Sequence, residues 1–157
     1  MPPKPLVNTE KFDPDKIIAS IEDIRKVNPH RYEFEMLSGI LHIDVENKEI
    51  VAFKDLREDD FWTRGHIPGR PILPGVLMVE AAAQMCSYFI KTAYHFDVFI
   101  GFVGIENTKF RGVVSPPGRL TLMGKLTEVR KRRHVMNVQG YVDGRMVFES
   151  QVIGMPV

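Results

Sequence analysis

An unbroken run of helix-forming residues extends from Val76 to about Tyr94, VLMVEAAAQMCSYFIKTAY, and contains neither glycine nor proline. These residue types predict an α-helix, and a helix that is apolar on almost every side is normally buried. At ~1.5 Å per residue the helix would be nearly 30 Å long, enough to cross a small domain. The rest of the chain is therefore expected to fold around it.

The polar residues of this helix are Glu80, Gln84, Ser87 and Lys91. Residues three and four positions apart lie on the same side of a helix. The four side chains therefore form one line along one face of an otherwise apolar element.

Six other segments have the composition of β-strands and are separated by turn residues. Asp143-Gly144, between the last two segments, is a strong hairpin signal. A long apolar helix among strands joined mostly by hairpins indicates the α+β class, with an antiparallel sheet wrapped around the central helix. The predicted strands cover residues 36–44, 49–56, 98–105, 119–129, 133–142 and 145–154.

A second helix is predicted within residues 12–29, FDPDKIIASIEDIRKVNP. Asp13 has the character of an N-cap and Pro14 suits the first helical position. Isoleucines at helical spacing give one apolar face. The proline in Asn28-Pro29 is expected to end the helix.

The length of 157 residues suits a single domain spanning residues 1–157, with residues 1–12 as a loose, proline-containing lead-in. The net charge of +1 gives no reason to expect nucleic-acid or membrane binding. No apolar run reaches the ~18 residues of a membrane-spanning helix. The single cysteine, Cys86, excludes an internal disulfide, and no signal-peptide pattern is seen at the N-terminus. A cytoplasmic protein is expected.

The loop before the long helix, GHIPGRPILPG at residues 65–75, holds three prolines that keep it stiff. His66 is its natural general base, because an unperturbed imidazole titrates near neutrality. Gly75 opens the helix, where free backbone N–H groups can polarise a carbonyl oxygen. Glu80 lies among apolar residues that favour the protonated carboxyl, which suits a general acid.

A base, an acid and an oxyanion site are the groups that β-elimination from a thioester requires. The base removes a proton beside the carbonyl, the oxyanion site stabilises the enolate, and the acid protonates the departing hydroxyl. The pattern therefore indicates a site suited to β-elimination.

The segment GHIPGRPILPGVLMVEAAAQ resembles the signature of the bacterial (3R)-hydroxyacyl-[acyl-carrier-protein] dehydratases of fatty-acid biosynthesis. NPHRYEF, FVGIENTKFRGVVSPPG and YVDGRMVFES also resemble segments of that family. The resemblance implies the hot-dog fold, no metal and no cofactor, and a homodimer or a hexamer. It implies that His66 is the base, Glu80 the acid and Gly75 the backbone donor to the thioester carbonyl. It further implies that His66 and Glu80 of one site come from different subunits.

The sequence departs from the family pattern at Ile67, at residues 33–39 and in the loop VVSPPG, which is one residue longer than expected. These departures leave the acid and base intact. They leave open the acyl chain length, the carrier (acyl carrier protein or coenzyme A) and the pathway (fatty acid or polyketide).

Three more side chains are candidates for substrate binding. Tyr32 and Phe34 either line the acyl channel or belong to the core, and Gln84 either orients the site or forms a hydrogen bond in the core. No spacing among the other histidines matches a metal site.

The run RKRR at residues 130–133 is expected at the end of a hairpin. It is either a solvated turn or, through Arg132, part of a basic rim that attracts an acidic carrier protein. Arg64, Arg70 and Arg111 are further candidates for that rim.

Two other functions compete with dehydration. Hot-dog thioesterases hydrolyse acyl thioesters, but they usually lack this His-Pro-Gly loop and place a carboxylate on the helix. A non-catalytic acyl-binding protein would have no need of both His66 and Glu80.

Overall fold

The computed structural model describes residues 3–157. Seven strands and two helices follow one another along the chain, together with two short 3-10 turns at Thr9–Lys11 and Tyr32–Phe34. The helices are α1 (Ile21–Arg25) and α2 (Gly75–Tyr94). The strands are β1 (Ala19–Ser20), β2 (Gly39–Asp44), β3 (Glu49–Leu56), β4 (Ile100–Phe110), β5 (Gly118–Arg130), β6 (Arg133–Val142) and β7 (Arg145–Pro156).

The strands form one antiparallel sheet in the order β1-β2-β3-β5-β6-β7-β4. The predicted hairpin between β6 and β7 is confirmed: Asp143 and Gly144 both have positive φ, at 49° and 75°. Such a two-residue turn matches the twist of the strands that it joins. β4 is longer than predicted, because its pairing with β7 continues to Phe110.

The sheet encloses α2, which confirms both the buried helix and the α+β hot-dog architecture. Met85 and Phe89 of α2 are fully buried against the sheet. Gly124 of β5 allows the close approach, because a Cβ there would lie 2.9 Å from the Met85 methyl group. Burying each such large side chain contributes about 1.5–3 kcal/mol to folding.

The N-terminal segment packs against the outer face of the sheet, whereas a loose lead-in was expected. Val7 is completely buried beside Phe53 and Met123. The Leu6 N–H donates to the side-chain oxygen of Gln139, which fixes the backbone of the segment. The segment is ordered because it covers apolar strand residues that would otherwise face water. The remainder of the expected lead-in, residues 1–2, lies outside the described residues.

The predicted helix over residues 12–29 is wrong for most of its length, since α1 covers only Ile21–Arg25. Asp13 caps a turn instead, accepting from the Asp15 N–H at 2.9 Å. Ala19 pairs with Ile40 of β2. The N-cap is Ser20, which forms a capping box with Asp23. Pairing with the sheet outweighs the helical spacing of the isoleucines.

No helix in residues 3–157 is long and apolar enough to span a membrane.

Candidate active site

The loop before α2 holds His66 in one orientation. The backbone N–H of His66 donates to the backbone carbonyl of Trp62 at 3.0 Å, and Trp62 is buried. His66 Nδ1 lies 2.7 Å from the carbonyl oxygen of Ile72. A carbonyl can only accept, so Nδ1 carries the ring hydrogen and the lone pair is on Nε2. The exposed imidazole can therefore act as a base through Nε2.

The first residue of α2 is Gly75, as predicted. A Cβ at this position would lie 2.8 Å from the ring of Phe110 at the end of β4, so glycine permits the close approach of strand and helix. The Gly75 N–H has no acceptor among residues 3–157. At the start of a helix this N–H is free to donate to a bound oxygen.

Glu80 is half-buried on α2, with 31% of its side chain exposed. Its Oε1 accepts a hydrogen bond from Gln84 Nε2 at 2.8 Å, one helical turn further along. Its second oxygen has no hydrogen-bond partner in the described part of the chain. The side chain is thus held through one oxygen, while the other remains available to a substrate.

Gln84 is buried. Both hydrogens of its side-chain amide donate hydrogen bonds, and its side-chain oxygen accepts one. Its Nε2 also donates to the Phe34 carbonyl at 2.7 Å, and its Oε1 accepts from the Met36 N–H at 3.0 Å. Because Oε1 must face an N–H donor, the amide cannot flip. These contacts match both roles considered for Gln84, because its amide binds Glu80 and also forms hydrogen bonds in the core; substrate contact stays a prediction.

Tyr32 and Phe34 do not enter the core of the chain. Tyr32 is 85% exposed and Phe34 is also exposed, although the Phe34 carbonyl is bound to Gln84. Neither side chain lines the cavity beside Glu80. Within one chain they are therefore surface residues at the edge of the site.

Sequence reasoning missed His30, whose Nε2 lies 3.8 Å from Glu80 Oε1. Burial lowers the pKa of His30, and the positive charge of Arg31 lowers it further. The negative charge of Glu80 raises the pKa, but by less than burial lowers it. The neutral ring is therefore favoured at pH 7. His30 belongs to the segment NPHRYEF, but its approach to Glu80 depends on how that segment crosses α2, which local spacing cannot show.

A cavity of about 150 Å³ is lined in part by Glu80, His30 and Gln84. His66 does not line it, and no hydrogen bond or ion pair joins His66 to Glu80 within residues 3–157. The described part of a single chain thus shows no direct bond between the two predicted catalytic residues.

The basic residues predicted for carrier docking are all exposed. Arg132 lies in the turn between β5 and β6, so the hairpin position of RKRR is confirmed. Arg111 is paired with Glu149 at 2.7 Å, which compensates its charge. Arg64 and Arg70 form no ion pair in the described part of the chain.

One group of possible metal ligands lies far from this site in sequence: His42, Asp44 and Glu49 have ligand atoms within 4.8 Å of one another. Glu49 also pairs with Lys11 at 3.0 Å and with Lys125 at 3.2 Å. Two ammonium groups already compensate its charge, so the cluster has the character of an ion-pair network.

The FabA-like domain family matches residues 28–151 of the chain. A 3-hydroxyacyl-[acyl-carrier-protein] dehydratase FabZ of Clostridium botulinum is 34% identical over 134 residues, 85% of this chain and 92% of that protein. The enzyme with the same name from Coxiella burnetii is 30% identical over 141 residues, 87% of this chain and 96% of that protein. The solved dehydratase heterocomplex ApeI:P from Xenorhabdus doucetiae has a TM-score of 0.72 at 11% identity, covering 85% of this chain and 90% of that chain. This last likeness concerns the fold.

Proposed function

This chain belongs to the FabA-like family, and we propose that it is a 3-hydroxyacyl-[acyl-carrier-protein] dehydratase, a hydro-lyase of fatty-acid biosynthesis. The observation that carries the proposal is the family match over a segment that contains both His66 and Glu80. The relatives' activity also favours dehydration over thioester hydrolysis on the same fold.

In the proposed reaction, His66 Nε2 removes a proton from C2 of a (3R)-hydroxyacyl thioester. The Nδ1 hydrogen bond to Ile72 keeps the lone pair on Nε2 and stabilises the imidazolium that forms. The electron pair of the broken C–H bond becomes the C2–C3 double bond. The carbonyl oxygen takes on negative charge as the proton leaves, and the Gly75 N–H is placed to donate to it.

Glu80 donates its proton to the hydroxyl at C3, so that the C–O bond breaks and water leaves together with the trans-2-enoyl thioester. Gln84 holds Oε1, which leaves the second oxygen to carry the transferred proton. Glu80 and His66 both reach solvent. The carboxylate and imidazolium can therefore exchange protons with water between turnovers.

The same proposal includes a homodimer, or a hexamer built from dimers, whose sites are completed across the interface. β4 lies at the edge of the sheet and exposes apolar side chains, among them Phe102, Val103 and Ile105. An unpaired apolar edge is a surface that proteins normally cover. We propose that a second copy covers this edge and that its His66 loop then lies beside Glu80.

The thioester carrier is proposed to be acyl carrier protein. Arg64, Arg70 and Arg132 supply exposed positive charge for an acidic carrier, and Arg111 contributes less because Glu149 compensates it. A cytoplasmic location is part of the proposal, and the single cysteine, Cys86, present as a free thiol, is compatible with it.

A spectrophotometric assay tests the proposal, with enoyl thioesters hydrated in the reverse direction and the loss of conjugated absorbance followed. His66→Ala and Glu80→Gln should each lower kcat by at least ~100-fold, the smaller end of what a positioned acid or base contributes. Full activity in either variant, with folding unchanged by circular dichroism, would remove that residue from the mechanism.

A further inference from the structure

The walls of the cavity beside Glu80 are mostly apolar, but some of the side chains that line it are polar. The cavity lies between α2, β4 and β7, with β5 and β6 behind. Its apolar walls are formed by Ala83, Ile90, Ile100, Leu126, Met136, Val152 and Ile153. A cavity of about this volume with apolar walls holds a molecule the size of benzene. The space beside Glu80 therefore suits a chain of several carbons.

Two polar side chains, Ser87 and His134, also line this cavity. They are only 5% and 3% exposed, and neither Ser87 Oγ nor either ring nitrogen of His134 has a hydrogen-bond partner within residues 3–157. A buried polar group without a partner costs about 1–3 kcal/mol. Gln84, in the same wall, has every amide hydrogen satisfied.

The hydroxyl of Ser87 is also unusual for its helix. Buried hydroxyls in helices commonly donate to the carbonyl one turn before them. Thr92 on α2 does so, with Oγ1 2.8 Å from the Tyr88 carbonyl oxygen. Ser87 makes no such bond, so its buried hydroxyl has no partner within residues 3–157.

His134 is a neutral partner for the same molecule. Burial lowers its pKa, and its ring packs edge to face against Phe96 at 5.0 Å. A neutral imidazole offers one N–H donor and one acceptor. Together with a hydroxyl, it matches an uncharged group that both donates and accepts, such as an alcohol.

Ser87 follows Glu80 by seven residues on α2, which is ~10 Å along the helix axis. A zigzag carbon chain with bonds of ~1.5 Å advances roughly 1.3 Å per bond. About eight bonds therefore separate a C3 hydroxyl at Glu80 from a group at Ser87.

We propose that the Ser87–His134 end of this cavity binds a hydroxyl group carried at or near the far end of the acyl chain. This specificity rests on the proposed dehydratase function. It makes acyl chains that carry a hydroxyl about eight bonds beyond C3 preferred substrates.

The test compares two thioesters of acyl carrier protein with equal numbers of heavy atoms. One carries a (3R)-3-hydroxyundecanoyl chain, and the other has a hydroxyl in place of the terminal methyl group. A wholly apolar cavity would favour the methyl-ended chain by about fivefold or more, since an uncompensated buried hydroxyl costs about 1–3 kcal/mol. We expect the wild type to have the higher kcat/KM for the hydroxyl-ended chain.

Ser87→Ala should shift the ratio of the two kcat/KM values toward the methyl-ended chain by about tenfold, the upper range for one hydrogen bond. It should also raise Tm, because it removes an unsatisfied hydroxyl. His134→Phe should shift the ratio in the same direction. Thr92→Val is the matched control, since it removes a hydroxyl of α2 that does not line the cavity, and should leave the ratio unchanged.

The inference would be overturned if the wild type preferred the methyl-ended chain. It would also be overturned if the substitutions at Ser87 and His134 both left the ratio of the two kcat/KM values unchanged. In either case the dehydratase function stands. If the wild type dehydrates neither thioester, the proposed function fails and this specificity fails with it.

Discussion

The side-chain amide of Gln84 fixes the orientation of Glu80, the proposed acid. The same side chain bonds to three groups: Glu80 on its own helix, and the Phe34 carbonyl and Met36 N–H of the segment that crosses the helix. In addition, Asn28 Nδ2 donates to the backbone carbonyl of Gln84 at 3.0 Å. Both the fold of this segment and the orientation of the carboxyl group therefore depend on one buried amide.

Gln84→Met retains the volume of the side chain but none of its hydrogen bonds. Because the Met36 N–H is then left buried and unpaired, the free energy of unfolding should fall by about 2–3 kcal/mol. Since Glu80 also loses its donor, kcat should fall about tenfold while KM changes little, a smaller effect than that of losing the acid. Urea denaturation and steady-state kinetics measure the two quantities.

The control is Gln151→Met, which removes a single 3.2 Å hydrogen bond to Asn137 outside the site. It should cost less than about 1 kcal/mol and leave kcat unaltered. A Gln84→Met protein that loses stability but retains wild-type kcat would show that the amide has no part in positioning Glu80.

The local setting of single residues was predictable from the sequence, whereas the catalytic roles of His66 and Glu80 stay predictions. His66 sits in a loop stiffened by its own prolines, and Glu80 lies within a helix whose composition is apparent. The contact of His30 with Glu80 joins positions 50 residues apart in sequence, so no local pattern indicates it. Tyr32 and Phe34 are exposed, and apolar character alone does not tell a surface residue from a core residue.

Among the elements, the two helices show what periodicity can and cannot decide. For α2, composition, length and apolar character all indicated a buried helix, and it begins within one residue of the predicted start. For α1, the helical spacing of the isoleucines competed with an edge of the sheet. The Ile18 N–H donates to the Ile40 carbonyl at 2.9 Å, so residues before Ser20 extend along β2. Short amphipathic patterns are marginal on their own, and here tertiary pairing decided the conformation.

The contact between the start of α2 and the end of β4 gives a prediction at the same scale. In Gly75→Ala, the new methyl group would lie 2.8–3.0 Å from the Phe110 ring, which is itself stacked on Phe148. We expect a loss of about 1 kcal/mol, the lower range for overpacking, and a lower kcat/KM as the helix start shifts. Thermal denaturation and the hydration assay measure both effects.

Gly65→Ala is the matched control, because a Cβ at Gly65 would meet no atom within 4 Å. Its stability should change by less than about 0.5 kcal/mol. Combining Gly75→Ala with Phe110→Ala should recover part of the loss, as expected for two residues in direct contact. Additive effects in the double variant would show that the two residues do not interact.

For the whole molecule, the buried histidines predict how stability depends on pH. Burial lowers the pKa of His134 below its ordinary 6.5. The unfolded chain therefore binds a proton at this residue that the folded chain does not, once the pH falls below about 6.5. The free energy of unfolding should decrease as the pH drops through that range. Urea denaturation at pH 8 and at pH 5.5 measures the difference.

The variant His134→Gln cannot titrate, so its stability should decline less between the same two pH values. The carboxylates do not confuse this comparison. The hydrogen bond from Arg25 lowers the pKa of Glu35 below its ordinary 4.5, so the stability that this pair contributes is lost only at more acidic pH. An equal decline in wild type and variant would show that His134 is protonated to the same extent in both states.

Because no hydrogen bond or ion pair joins His66 to Glu80 within residues 3–157, we propose that the assembled molecule is the unit of activity. If each site combines His66 of one subunit with Glu80 of another, then mixing inactive His66→Ala with inactive Glu80→Gln should restore function. After subunit exchange, a mixed dimer has one site with both wild-type residues and one site with neither. Random exchange makes about half of the dimers mixed, so roughly a quarter of wild-type activity should return, because one site in two is intact in each of them.

The control for exchange is each variant incubated alone under the same conditions, which should remain inactive. Native mass spectrometry of isotopically labelled subunits establishes that mixed dimers have formed. If they form and no activity returns, then His66 and Glu80 of each site come from one chain and the loop before α2 must move to reach Glu80. A monomer in sedimentation that remains fully active at micromolar concentration would lead to the same conclusion. Return of about a quarter of the activity would show that the base and the acid of each site come from different subunits.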